Sequence, residues 1–247
     1  MTLLKTEKLR KAYGSLVVTK DVDLEIARGQ RHVIIGPNGA GKTSLVHQLT
    51  GQVRPTSGKV IFKGVEVAGA APDMLCQMGM GRTFQKNNLF PSLSVRENVR
   101  LAVQAKKGGW YESLRSVQSR RTQWEYADHL LESVRLSDGY ERRVSNLSYG
   151  EQRQLEVAIA LASDPELLLL DEPTSGMSPA ETDRMIDLVR GLSSTLAVLM
   201  IEHDMKVVFS IADRITVLYY GEVLASGSPR EIQGDARVRE VYLGGKH

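Results

Sequence analysis

An α/β fold with a mostly parallel sheet, an N-terminal antiparallel β layer and an inserted helical segment is predicted by three observations. A glycine-rich loop, Gly36-Pro37-Asn38-Gly39-Ala40-Gly41-Lys42-Thr43-Ser44, lies between a short apolar run and a helix-like stretch. After residue 164, short apolar runs alternate with helical stretches. Runs of that kind are strands buried on both faces, the hallmark of parallel sheets. Between residues 94 and 162 strand signals vanish and helix formers dominate.

Taken in order, residues 2–13 and 17–26 read as strands with Gly14 in the turn between them. Asp23-Leu24-Glu25-Ile26 alternates polar and apolar, as a half-buried strand does. Arg28-Gly29-Gln30 turns the chain into the strand Val33-Ile34-Ile35, and residues 43–49 are helical. Pro55-Thr56-Ser57-Gly58 leads into a further strand over 59–67. Helices are expected at 95–106, 111–134 and 152–162. The alternation then resumes: strand 167–170, helix 180–192, strand 196–201, helix 205–212, and a hairpin of 215–219 with 222–226 across Tyr220-Gly221. The whole is one domain over 1–247. Residues 1–90 and 163–247 form the core and β layer, and 91–162 form the helical subdomain.

The 247 residues, 42% hydrophobic and 25% charged, have an ordinary globular composition and length enough for a sizeable core. A net charge of +3 is too small to argue for nucleic acid. Arg115, Arg120 and Arg121 read as a solvated helix face. The single cysteine, Cys76, excludes an internal disulfide and a cysteine metal cluster, and is expected to be buried or half-buried. No stretch approaches the ~20 apolar residues of a membrane span. A membrane role must therefore run through a partner.

The glycine-rich loop matches G-x-x-x-x-G-K-[ST] completely. Its glycines allow backbone N–H groups to approach phosphate oxygens, and the following helix aims its N-terminal dipole at the same place. Lys42 can reach the β/γ-phosphates and the Thr43 hydroxyl can ligate Mg²⁺. The strand 167–170 ends in Asp171-Glu172, at the strand end where open α/β sheets bind ligands. Asp171 is placed for Mg²⁺ and Glu172 for polarising a water. The strand 196–201 ends likewise in Glu202-His203-Asp204. Gln85 follows a strand-like segment and could reach metal and water. Ser148 with Glu151 forms a capping box, and that helix start, Leu147-Ser148-Tyr149-Gly150-Glu151-Gln152, is also a second anion site.

Taken together, these motifs, in this order and spacing, resemble the nucleotide-binding subunit of an ATP-binding-cassette (ABC) transporter. The resemblance implies a P-loop NTPase core, a cofactor set of ATP and Mg²⁺, and a dimer that sandwiches two ATP. Residue by residue, it implies that Tyr13 stacks on adenine and that Gly36, Pro37, Asn38, Gly39, Ala40, Gly41, Lys42, Thr43 and Ser44 wrap the phosphates. Gln85 matches the Q-loop glutamine, Asp171 the Walker B aspartate, Glu172 the catalytic carboxylate and His203 the switch histidine. Ser148, Tyr149, Gly150 and Glu151 match the signature that contacts ATP on the opposite subunit. Two positions depart from the usual pattern: Tyr149-Gly150-Glu151 replaces Gly-Gly-Gln, and Ser178 stands where the D-loop commonly has an aspartate.

Within the family, Gly81-Arg82-Thr83-Phe84-Gln85, Leu89-Phe90-Pro91, Ile201-Glu202-His203-Asp204-Met205 and the terminal Val241-Tyr242-Leu243-Gly244 resemble the branched-chain amino-acid importer group. That implies an identical or paralogous ATPase partner, membrane permeases and, indirectly, a periplasmic or extracellular solute-binding protein, with no nucleic acid. It also implies a cytoplasmic subunit on the inner face of the membrane. The ATPase of a lipid or lipopolysaccharide exporter is the alternative, and a soluble non-transport ABC ATPase is a more distant one. Phe84, Leu89, Phe90 and Leu93, beside Pro91 and Lys86-Asn87-Asn88, read as a surface loop. In the family this junction receives a short helix of the membrane subunit.

Overall fold

The computed structural model describes residues 1–83, 89–106 and 117–243. The chain starts with two long antiparallel strands, β1 (Thr2–Tyr13) and β2 (Leu16–Ala27), and continues through β3 (Arg31–Ile35) into helix α1 (Lys42–Leu49). Then come β4 (Ser57–Phe62), β5 (Val65–Glu66), α2 (Pro72–Gln77) and β6 (Met80–Arg82). Three helices follow: α3 (Val95–Lys106), α4 (Val117–Ser133) and α5 (Tyr149–Leu161). The last part alternates β7 (Leu167–Asp171), α6 (Pro179–Gly191), β8 (Ala197–Ile201), α7 (Met205–Ile211) and the hairpin β9 (Arg214–Tyr219) and β10 (Glu222–Gly227). Helices α8 (Pro229–Gly234) and α9 (Ala236–Leu243) end the described chain.

Two sheets result. One is antiparallel, with order β2-β1-β4-β5. The other has order β10-β9-β3-β8-β7-β6 and is parallel throughout except for β10. The apolar runs explain the arrangement. Leu168 and Leu170 of β7, Val198 and Met200 of β8, and Val33 and Ile35 of β3 face a core shared with α3 to α7. Their neighbours Leu167, Leu169, Ala197, Leu199 and Ile34 face the opposite way, into a second core against the antiparallel sheet and α1. Alternate residues of one strand thus enter different cores, so every position must be apolar.

Most expected elements form, with ends shifted by a few residues. The segment 59–67 is not one strand. Phe62 pairs with Val65 across Lys63 and Gly64, both at positive φ (55° and 81°), so β4 and β5 make a tight hairpin. A two-residue loop with both φ positive matches the right-handed twist of the flanking strands. Tyr220 and Gly221, at 46° and 83°, make the same turn where one was expected. Of the expected helix 111–134, residues 117–133 are helical and the earlier part lies outside the described residues. Helix α5 starts directly after its cap, at Tyr149 rather than at Gln152. Cys76 is exposed, contrary to expectation. It sits on α2, a short helix with Pro72 in its first turn that turns only Leu75 inward.

Candidate nucleotide site

Strand β3 delivers the chain into the glycine-rich loop at the carboxyl end of the parallel sheet. Two of its glycines are dictated by close approach. A Cβ on Gly36 would lie 2.3 Å from the Leu218 carbonyl oxygen, and one on Gly41 2.3 Å from that of Val18. The loop is thereby pressed onto β9 and β2. Gly41 also takes φ +97°, which disfavours any other residue. It is the N-cap of α1, contributes no side-chain cap, and the first turn of α1 holds no acidic residue. Gly39, at φ +79°, has nothing within 4 Å of its missing Cβ, leaving its backbone open to a ligand. Lys42 Nζ curls into the loop and donates to the carbonyls of Gly36 (2.7 Å) and Pro37 (3.0 Å). Burial lowers its pKa, and the carboxylates of Glu172 and Asp171 oppose that shift. Thr43 is exposed on the first turn of α1.

The ends of β7 and β8 lie side by side, Asp171 paired with Ile201. Asp171 is buried, and burial raises its pKa against the nearby Arg82 charge. Its Oδ2 has no hydrogen-bond partner, and Arg82 Nη2 stands 3.7 Å away. Ser44 Oγ is likewise buried without a partner. Orphaned buried oxygens are costly unless a ligand satisfies them. Both orphans belong to the set expected to meet phosphate and metal, so this donor set fits a nucleotide with a divalent cation. Among the described residues no group of three or more His, Cys, Asp and Glu side chains could hold a metal alone.

Glu172 follows with φ +47°, a left-handed conformation costing on the order of 1–3 kcal/mol for a non-glycine residue. Its N–H donates to the Ile201 carbonyl at 3.0 Å, fixing the strained turn to β8. The carboxylate is partly exposed, and its Oε1 lies 4.0 Å from His203 Nδ1. That is beyond hydrogen-bond distance and within reach of one shared ligand group. Tyr13, at the end of β1, is half exposed (52%) with Lys11 Nζ 4.8 Å from its ring centroid. Gln85 lies outside the described residues.

The structure therefore gathers the loop, Asp171, Glu172 and His203 at the carboxyl end of the parallel sheet. It does not bring Ser148, Tyr149, Gly150 and Glu151 there. Among the described residues no hydrogen bond or ion pair links those four to residues 36–44. They open α5, where Ser148 Oγ accepts the Glu151 N–H (3.2 Å) and Glu151 Oε2 accepts the Ser148 N–H (2.7 Å). Arg142 pairs with Glu151 at 2.7 Å, and that hydrogen bond is the largest cause of the lowered Glu151 pKa.

Three neighbours were not singled out from the sequence. Glu202 is fully buried and accepts from Thr174 Oγ1 (2.5 Å), the Thr174 N–H (3.2 Å) and the His203 N–H (3.0 Å). It ties the loop after Glu172 to the backbone of His203. Arg82 reaches Asp171 and donates to Thr50 Oγ1 at 3.0 Å. Glu181 meets both Ser148 and Gly150. Only Glu181 carried a sequence signal: Ser178 followed three residues later by a glutamate is a capping box.

A glycine loop, a bare helix start and the carboxylates Asp171 and Glu172 at the end of β7 define a P-loop nucleotide-binding protein. A family profile described as ABC transporter matches residues 19–175. A second, described as branched-chain amino acid ATP-binding cassette transporter, matches residues 222–247. The high-affinity branched-chain amino acid transport ATP-binding protein LivG of Escherichia coli (strain K12) is 38% identical, over 98% of each chain. The lipopolysaccharide export system ATP-binding protein LptB of Haemophilus influenzae is 32% identical, over 99% of this chain and 98% of that one. Among solved structures, MJ1267 in its ADP conformation, an ATP-binding cassette of an ABC transporter, has a TM-score of 0.85 at 27% identity, covering 99% of each chain. A dimeric post-hydrolysis state of the cassette MJ0796 bound to ADP and Pi has a TM-score of 0.77 at 27% identity, over 92% of this chain and 99% of that one. The chain belongs to the ABC transporter family and is one of its ATPases.

Proposed function

We propose that the chain is the ATP-hydrolysing subunit of an importer for branched-chain amino acids or related small solutes. It works beneath partner permeases on the inner face of the membrane, as one half of an ATPase dimer. The observation that carries the solute class is the match of residues 222–247, a segment outside the ATP site and outside the general family match. The higher identity to LivG than to LptB points the same way. No helix among the described residues is long and apolar enough to cross a membrane, so the path for solute belongs to other subunits.

In this reading the loop N–H groups and Lys42 Nζ hold the phosphates, and Tyr13 stacks on the base. Thr43, Asp171 and Gln85 would hold Mg²⁺, which when bound draws charge from the phosphate oxygens. Glu172 orients the attacking water and accepts its proton. His203 contacts the γ-phosphate. Ser148 and Gly150 of one subunit receive the γ-phosphate held by the other. Phe90 serves the permease contact. Its backbone is clamped by the buried Asn98, with the N–H donating to Oδ1 at 2.8 Å and the carbonyl accepting from Nδ2 at 3.2 Å. Phe90 itself stays 55% exposed, while Leu89 packs on the core.

The test is reconstitution with the permeases and a solute-binding protein. ATP turnover should rise when the binding protein carries leucine, isoleucine or valine. Stimulation by a lipid A precursor instead, with no response to amino acids, would favour the exporter.

A further inference from the structure

The N-terminus of α5 already holds an anion. Ser148 Oγ and the Gly150 N–H both donate to Glu181 Oε1, each at 3.1 Å. Glu181 stands in the first turn of α6, and its other oxygen, Oε2, accepts from the Ser178 N–H (3.0 Å) and Ser178 Oγ (2.8 Å). Among the described residues no cation pairs with it. These four hydrogen bonds hold its pKa down at about 2, the Ser178 backbone bond being the largest cause. The fit is close: a Cβ on Gly150 would lie 2.7 Å from Oε1. Glycine at 150 is thus what admits the carboxylate.

The two donors on Oε1 are the two that, in the reading above, receive the γ-phosphate of the other subunit. A single O–H and a single N–H aimed at one oxygen cannot also serve a second anion. Two anions at one helix start also repel each other. We propose that Glu181 is a built-in occupant of the signature site, holding its phosphate-receiving donors in the free subunit and giving way when the other subunit's ATP docks. The inference rests on the trans role of Ser148 and Gly150. The two-oxygen arrangement makes release local. Oε1 can leave Ser148 and Gly150 while Oε2 stays on Ser178 and α6 remains capped. Glu181 is then a positioning residue that sets how much ATP is needed to close the dimer.

Glu181→Gln tests this, because glutamine retains the capping box while removing the charge. In a Glu172→Gln parent, sedimentation velocity across an ATP titration with Mg²⁺ gives the ATP concentration at half-maximal dimer. Removing an occupant from the competent surface should lower that concentration roughly threefold to tenfold. The affinity of the monomer for a fluorescent ATP analogue should not move, which a merely structural role would not ensure. An unchanged or raised dimerisation threshold overturns the proposal. If the parent itself never dimerises with ATP, the trans reading is what fails. Amide hydrogen exchange of Gly150 in the nucleotide-free subunit then decides the contact separately. Glu181→Ala should accelerate that exchange, and an unchanged rate overturns the occupancy of the site.

Discussion

Helices α1 and α5 begin in opposite ways. At α1 the cap is a left-handed glycine that supplies no side-chain cap, and the first turn itself holds no acidic residue. At α5 a serine caps, a glutamate completes the box, and a second glutamate arrives from α6. Both starts are matched to phosphate in the family pattern, yet among the described residues side chains take the Gly150 and Glu151 N–H groups of α5 while α1 has no side-chain cap. A bare helix start is an anion site waiting for a ligand, whereas a satisfied one must exchange one anion for another. On the proposed function, this difference predicts an order of events in which ATP loads on the loop first and closure against the signature comes second. Burial reinforces it. Asp171 and Ser44 keep orphaned oxygens beside the loop, while every polar group discussed at the start of α5 has a partner.

The largest effect comes from stopping chemistry after both halves have engaged. Glu172→Gln should lower hydrolysis about 10²–10⁴-fold, the usual worth of a positioned acid–base group, while ATP binding persists. Steady-state phosphate release measures it, and near-normal turnover would remove Glu172 from its role.

Acid should separate the two regions. His32 lies on β3, the strand feeding the loop, and its Nε2 is 2.8 Å from Thr216 Oγ1. Burial, then the Arg214 charge, pushes its pKa down from 6.5 to about 4. The folded state keeps the imidazole neutral while the unfolded chain takes up a proton. Stability is therefore whole above pH 6.5 and declines as pH falls toward 4, by about 3 kcal/mol from this group. Glu181 keeps its charge through that window, since its own pKa is about 2. Urea unfolding between pH 7 and 4 should show the slope, and Gly150 exchange in the still-folded protein should show the α5 contact intact. A profile without that slope would contradict the burial of His32.

Lys42→Ala acts on the bare start alone. Losing one charged hydrogen-bonding group should weaken ATP binding about 10- to 100-fold and leave the α5 contacts untouched. Isothermal titration would report it, and unchanged affinity would mean that the ammonium serves only the loop's own carbonyls.

How much of this was legible follows from what each feature needs. The loop is contiguous, so its residues and flanking strand and helix could be read together. The strands ending in Asp171 and Ile201 were legible because burial on both faces forces unbroken apolar runs. The Lys63-Gly64 turn was hidden, because lysine at positive φ announces nothing in sequence. The exposure of Cys76 followed from a short helix whose only signal was Pro72. Glu181 could be read as a cap for its own helix, but its reach to Gly150 depends on two helix starts lying side by side. Glu202 shows the same limit: a carboxylate after an apolar strand says nothing of the Thr174 and His203 groups that satisfy it.

The smallest effect on the isolated subunit is expected from Phe90→Asp, which touches neither helix start. Stability should stay within about 0.5 kcal/mol, as for other exposed positions, with basal turnover unchanged. Assembly with the permeases and solute-stimulated turnover should be lost. Unfolding of the variant would make Phe90 core, and normal coupling would move the docking surface elsewhere.

The central claim is that one subunit carries two half-sites that meet only across a dimer. Sedimentation velocity of Glu172→Gln with and without Ser148→Arg, in saturating ATP and Mg²⁺, tests it most directly. Arginine would bring bulk into the start of α5 without touching the loop. The parent should sediment as a dimer with two ATP bound, and the double variant as a monomer that still binds one ATP. A double variant that dimerises as readily as its parent would reduce Ser148 to a helix cap and contradict the account.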